Sequence, residues 1–172
     1  AAGCDSTITL NLTINTGTFN ATTVAACDTY TWNGSTYTTS GDYTYNYNNG
    51  NGCSSTDTLH LTITASPNAG ALSGTQSVCS DGTTTFSSDG DTGGAFSSVN
   101  TGVATVDAST GVITPVAAGT TTIRYVVTGS GGCANDTATR TVTVTAAPNA
   151  GTLSGTQAIC SNGTTTFSSN GN

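Results

Sequence analysis

Three stretches of the chain alternate residue by residue between apolar and polar positions. Ile8, Leu10, Leu12 and Ile14 take one side, with Thr9, Asn11 and Thr13 between them. Leu59, Leu61 and Ile63 alternate in the same way with Thr58, His60 and Thr62, and Val142 and Val144 with Thr141, Thr143 and Thr145. Successive side chains of a strand point to opposite faces, so this period of two predicts strands with one face on a core and a Thr-rich face toward water. Gly, Asn, Asp and Ser recur at short intervals and predict turns between strands.

The alternating stretches belong to internal repeats. GCDSTITLNLTIN at 3–15 returns as GCSSTDTLHLTIT at 52–64 with 9 of 13 positions identical. ASPNAGALSGTQSVCSDGTTTFSSDGD at 65–91 returns as AAPNAGTLSGTQAICSNGTTTFSSNGN at 146–172 with 20 of 27 identical. Two offsets, 49 and 81 residues, imply two kinds of unit. Residues 1–14 are expected to be the closing strand of a preceding short unit, 15–66 a short unit, 67–147 a long unit, and 148–172 the opening of another long one. The first residue is Ala and the last falls inside a recurring motif, so the expectation is a window on a longer polypeptide. Pro67 and Pro148 cannot donate to a sheet ladder and should end the strands before them. The six-residue joints 65–70 and 146–151 are short enough to predict units that follow each other closely, like beads on a thread.

Composition sharpens the class. Thr occurs 40 times, while Lys, Glu and Met are absent. Surface helix formers are scarce and β-branched residues plentiful, so the expected fold class is all-β throughout the tandem repeats. The net charge of −7, with Arg124 and Arg140 the only cations, argues against nucleic acid and against an anionic membrane surface. No run approaches the roughly 20 apolar residues of a membrane span.

Within the long unit, VNTGVATVDASTGVITPVAAGTTTIRYVVT at 99–128 resembles the bacterial immunoglobulin-like group 2 domain of surface adhesins. Its matching features are Val103 to Asp107, the return Gly111-Val112-Ile113-Thr114, and Ala118-Gly119-Thr120 before an apolar strand. The resemblance implies an Ig-like sandwich with Greek-key character. The short unit, CDTYTWNGSTYTTSGDYTYNYNNGNGCSSTDTLHLTI at 27–63, is similar to repeats of large secreted proteins of Bacteroidota. The combination resembles long adhesins of gliding bacteria, of the SprB type. That likeness implies type IX export, a place on the cell surface, and neighbouring repeats of the same chain or filament as partners, with surface glycans at a distal tip. It also implies O-glycans at Asp-Ser/Thr tripeptides, on Ser6, Thr58 and Thr137.

Six cysteines at wide spacing, with no C-x-x-C pair, fit disulfides and an oxidising compartment rather than a zinc ribbon. Two pairings are open. Pairing within units gives Cys27–Cys53 and Cys79–Cys133 and leaves Cys4 and Cys160 to partners outside the fragment. Staggered pairing gives Cys4–Cys27, Cys53–Cys79 and Cys133–Cys160. The first is preferred, because a unit of about 50 residues buries too little surface to be stable without a bridge of its own.

No constellation points to catalysis. His60 is the single histidine, and its repeat counterpart is Asn11. Asp81, Asp89 and Asp91 could be taken for calcium ligands, yet their counterparts are Asn162, Asn170 and Asn172, so a Gly-rich turn is the better reading. The runs Thr83–Thr85 and Thr120–Thr122 are consecutive and alternate between faces, unlike a flat ice-binding array. Tyr43, Tyr45 and Tyr47 share one strand face, with Tyr30, Trp32 and Tyr37 close by. They read as a small amphipathic core or as a platform for sugar rings. The expectation is a stalk or filament segment rather than an enzyme, with no cofactor. The alternative is a carbohydrate-binding accessory module. Arg124 and Arg140, both expected within strands, are the only bonds open to trypsin.

Overall fold

The computed structural model describes residues 3–171, and every regular element in them is a strand. The fold is all-β, as the alternation and composition predict. Two compact units are present. The first takes the chain up to Ser66 together with Ser130–Cys133; the second takes Pro67–Gly129 and the chain from Ala134 onward.

The first unit contains β1 (Phe19–Cys27), β2 (Tyr30–Trp32), β3 (Ser35–Tyr37), β4 (Gly41–Asn48) and β5 (Ser54–Thr64). Its main sheet has the order β1-β5-β4, with β1 parallel to β5 and β4 antiparallel to it. A parallel pair needs a crossover, and the β2–β3 hairpin and β4 supply it. In β5, Ser55, Leu59 and Leu61 are buried while His60 and Thr62 face solvent, so the predicted alternation holds.

The second unit opens with β6 (Leu72–Ser73), β7 (Ser77–Cys79), β8 (Thr84–Thr85), β9 (Ser87–Ser88) and β10 (Ala95–Ser98). It continues with β11 (Ala104–Val106), β12 (Val112–Pro115), β13 (Gly119–Val127) and β14 (Asp136–Thr145). The sheets β10-β13-β14-β7 and β11-β12-β8 enclose one core, making a β-sandwich. Phe86, Ile113, Ile123 and Val142 are fully buried in it. Arg140 crosses from β14 to the short β6 strand. Its guanidinium donates to the carbonyls of Leu72 (2.9 Å) and Gly74 (3.0 Å) and lies 5.5 Å from the centre of the Phe86 ring. The scarcest residue class of the sequence is thus spent on tying the start of the unit to its last strand.

Each side of the joint at 65–70 is bonded within its own unit. The amide of Ser66 donates to Asp28, and Ala69 is buried in the core of the long unit. The Ala69 amide donates to Asp136 (2.7 Å) and the Ala71 amide to Asp89 (2.6 Å). Gly90 lies so close to this backbone that a Cβ would meet the Asn68 carbonyl at 2.3 Å, and Gly70 has φ +62°. This accounts for both glycines.

The two partial copies differ from their complete counterparts. Residues 3–16 carry no strand, and Ile8, Leu10, Leu12 and Ile14 are 72–91% exposed. The expected closing strand at 1–14 is therefore corrected for residues 3–14, and residues 1 and 2 lie outside the described part. The physical reason is partnership: β5, the copy of this segment, is the middle strand between β1 and β4, whereas 3–14 has no such neighbours. At the other end, β15 (Leu153–Gly155) and β16 (Phe167–Ser169) form the same antiparallel pair as β6 and β9. Leu153, Ile159 and Phe167 are half or more exposed, whereas Leu72, Val78 and Phe86 are at most 8% exposed. The local pairing forms from its own sequence, and among the described residues no strand follows β16 to cover these side chains.

Candidate functional site

The first unit brings five of its aromatics together. Register places Tyr43, Tyr45 and Tyr47 opposite Leu59, Asp57 and Ser55, the buried side of β5. The β2–β3 hairpin brings Tyr37 to 4.0 Å from Tyr43 and Trp32 edge-on to Tyr45 at 6.3 Å, both between ring centres, while Tyr45 and Tyr47 stack at 5.9 Å. Asn33 and Gly34, both with positive φ, make the two-residue turn that permits the hairpin. The Tyr43 hydroxyl donates to the Thr39 carbonyl (2.9 Å), and that of Tyr47 bonds the Thr18 hydroxyl (3.1 Å). The array is a half-buried core at Tyr43 and Tyr47 and opens at Tyr45, which is 44% exposed.

Cysteine pairing is corrected. Cys27 is bonded to Cys133, with 4.9 Å between their Cα atoms, and Cys4, Cys53, Cys79 and Cys160 are free thiols. Neither Cys27–Cys53 nor Cys79–Cys133 forms. Cys27 lies beside Thr64 at the end of β5, and Cys53 directly precedes its start. The eleven residues of β5 separate them by roughly 36 Å. Likewise Cys79 lies beside Thr145 at the end of β14, while Cys133 precedes the start of that strand. Disulfides need Cα atoms within about 7 Å. The parallel pairings β1–β5 and β7–β14 decide this, and strand alternation alone does not distinguish them from hairpins.

The remaining candidates have structural duties. His60 is exposed and pairs across the sheet with Asp42 at 2.6 Å. Asp89 and Asp91 accept backbone amides, from Ala71 and from Asn68. In the second copy Asn170 accepts the Thr152 amide in the position of Asp89; Asn172 lies outside the described residues. Among the described residues no group of three His, Cys, Asp or Glu is placed to hold a metal ion. Ser6 and Thr137 are exposed and Thr58 is half-buried. The Asp preceding each of the last two is occupied: Asp57 accepts from Asn20 (2.8 Å) and Asp136 from Ala69. A cavity of about 460 Å³ in the long unit is lined by Phe86, Phe96, Tyr125 and Asp91 among others. The Tyr125 hydroxyl is spent on the Asp91 carbonyl and the Gly94 amide.

Asp107, missed as a singular residue within the motif at 103–114, organises the β11–β12 turn. Its carboxylate accepts from the Thr110 amide and hydroxyl and from the Ser109 amide. The Thr110 amide first, then its hydroxyl and the Ser109 amide, hold this carboxyl below its ordinary 3.8. Asp28 is likewise lowered, first by the Ser66 hydroxyl and then by the Ser66 amide. Asp-Ala-Ser-Thr-Gly before an apolar strand is the signal that could have identified the Asp107 turn.

No family model matches the chain, and no curated protein matches it. Among solved structures it is similar to murine CEACAM1b, with 13% identity and a TM-score of 0.34, over 70% of this chain and 68% of that one. A likeness at this level assigns no function.

Proposed function

We propose that the chain is a structural segment of an extracellular filament or adhesin stalk on a bacterial surface, holding a distal part away from the cell. The observation that carries this reading is the recurrence of the joint. The Gly70 amide donates to Asn68 Oδ1 (2.9 Å), and the Gly151 amide donates to Asn149 Oδ1 (2.8 Å). Ser88 and Ser169 donate to the carbonyls of Ala69 and Ala150. A connection whose local hydrogen bonds recur after 81 residues serves an array of units rather than a single site. The disulfide supports an oxidising, extracellular setting. The likeness to secreted repeat proteins of Bacteroidota gives the finer reading, an Ig-like gliding adhesin exported by the type IX system with glycans on Ser6, Thr58 and Thr137. An intact mass equal to that of the sequence less its disulfide hydrogens would remove the glycans from it. Electron microscopy of the secreted polypeptide tests the stalk itself. Threads of alternating small and large beads are expected, and compact separate particles would overturn it.

A second reading, a carbohydrate-binding module, is favoured by the exposed Tyr45 with Trp32 at its edge. Sugar rings stacking there would quench Trp32 fluorescence, and Tyr45→Ala would abolish the quenching. An unchanged spectrum across an oligosaccharide panel would remove this reading.

A further inference from the structure

We infer that Cys79 is one half of a disulfide whose other half is a cysteine in the loop before the last strand of a further long unit, as Cys133 is to Cys27. The inference rests on the reading of the chain as an array of units.

Cys27 and Cys79 occupy matching positions. Each ends a strand that runs parallel to the last strand of its unit, and each lies in register with the final Thr of that strand, Thr64 or Thr145. The residue after each returns an amide to that Thr: Asp28 to the Thr64 carbonyl at 2.9 Å, Ser80 to the Thr145 carbonyl at 2.8 Å. The side chain of that same residue accepts from the joint, Asp28 from the Ser66 amide (2.8 Å) and Ser80 from the Ala147 amide (3.0 Å). Both joints then read Pro-Asn-Ala-Gly. The two places agree strand for strand and bond for bond, and at one of them the thiol is bonded.

The bonded place also shows what the partner must look like. Cys133 follows Gly131 and Gly132, both with positive φ, and a Cβ on Gly131 would meet the Thr64 hydroxyl at 2.1 Å. A Gly-Gly-Cys loop is what brings a thiol against a strand-ending Thr. Cys79 is exposed, and the Thr145 hydroxyl lies 3.9 Å from its sulfur, which leaves the thiol open to such a loop.

The cysteines thus fall into two kinds. Cys27 and Cys79 end the parallel strand, and Cys160 is the sequence copy of Cys79; Cys53 and Cys133 precede the last strand, and Cys4 is the sequence copy of Cys53. One kind bonds the other in the next unit. The bond forms by thiol–disulfide exchange: the two thiols give up two protons and two electrons to a protein or small-molecule disulfide, which leaves as a pair of thiols.

The test is a chain extended beyond Asn172 by the equivalent of residues 92–147, so that the unit opening at Pro148 is completed with its own Gly-Gly-Cys loop. The oxidised protein is alkylated, digested without reduction and mapped by mass spectrometry. The expected result is a peptide joining Cys79 to the new loop cysteine, together with the Cys27–Cys133 peptide, and loss of Cys79 alkylation. Changing the new cysteine to Ser should restore that alkylation. Cys79 alkylated or bonded elsewhere, with Cys27–Cys133 intact, would overturn the inference and leave the array reading standing. Absence of the Cys27–Cys133 peptide as well would overturn the bond on which the inference is patterned.

Discussion

At positions 89 and 170 an Asp and an Asn accept the same kind of backbone amide, from Ala71 and from Thr152. The side-chain oxygen performs the task, and the charge is incidental. Asp89→Asn should therefore leave the stability of the long unit within about 0.5 kcal/mol, whereas Asp89→Ala should cost about 1 kcal/mol, read from urea unfolding. Asp107 differs, because three donors converge on its carboxylate. Its folded pKa lies below the ordinary 3.8. The stabilisation is therefore complete above about pH 4 and is lost as the pH falls through the lower, folded value. The urea midpoint of the long unit should hold from neutral pH to about 4 and decline below it. Asp107→Asn should flatten that decline; an unchanged acid slope would contradict the assignment. The turn-forming role of Asp89 was legible in the sequence because the copy at 170 loses the charge. The organising role of Asp107 was not, because any Asp in a Gly-rich turn looks alike until the donors around it are seen.

Among elements, β6 is two residues long and has little ladder of its own, so it depends on Arg140. Arg140→Ala should destabilise the long unit by about 2 kcal/mol, and Arg140→Lys should not restore it, because an ammonium cannot serve two carbonyls with the fixed fork of a guanidinium. Loss of amide-exchange protection confined to β6 and β9 would be the local signature. Arg124 lies in β13 between β10 and β14, and Arg140 in β14 between β13 and β7. Trypsin should leave the native chain intact for hours and cut both sites once it is unfolded; rapid native cleavage would contradict this placement. The strands β5 and β14 were legible from alternation because each has one buried face. The same alternation at 8–14 forms no strand, because a pattern states which face could be buried and not whether neighbours exist to bury it.

For the whole molecule, the sequence offered six cysteines and the expectation that each unit closes a bridge of its own. The fold overrides it, because the parallel β1–β5 and β7–β14 pairs carry the two cysteines of each unit to opposite ends. Removing the bond with Cys133→Ser should lower the stability of the first unit by about 2–4 kcal/mol, followed through Trp32 fluorescence. The bond also sets how the chain responds to tension. Pulled from its ends, force passes from Cys27 directly to Cys133, and the 106-residue separation between them is shielded. At about 3.3–3.6 Å per extended residue that is roughly 350–380 Å of hidden length. Single-molecule stretching of the oxidised and the reduced chain tests most directly whether this is a mechanical segment. The account predicts resistance to unfolding in both, with the hidden length released only after reduction. Equal contour lengths in the two states, or extension without any unfolding force, would contradict it.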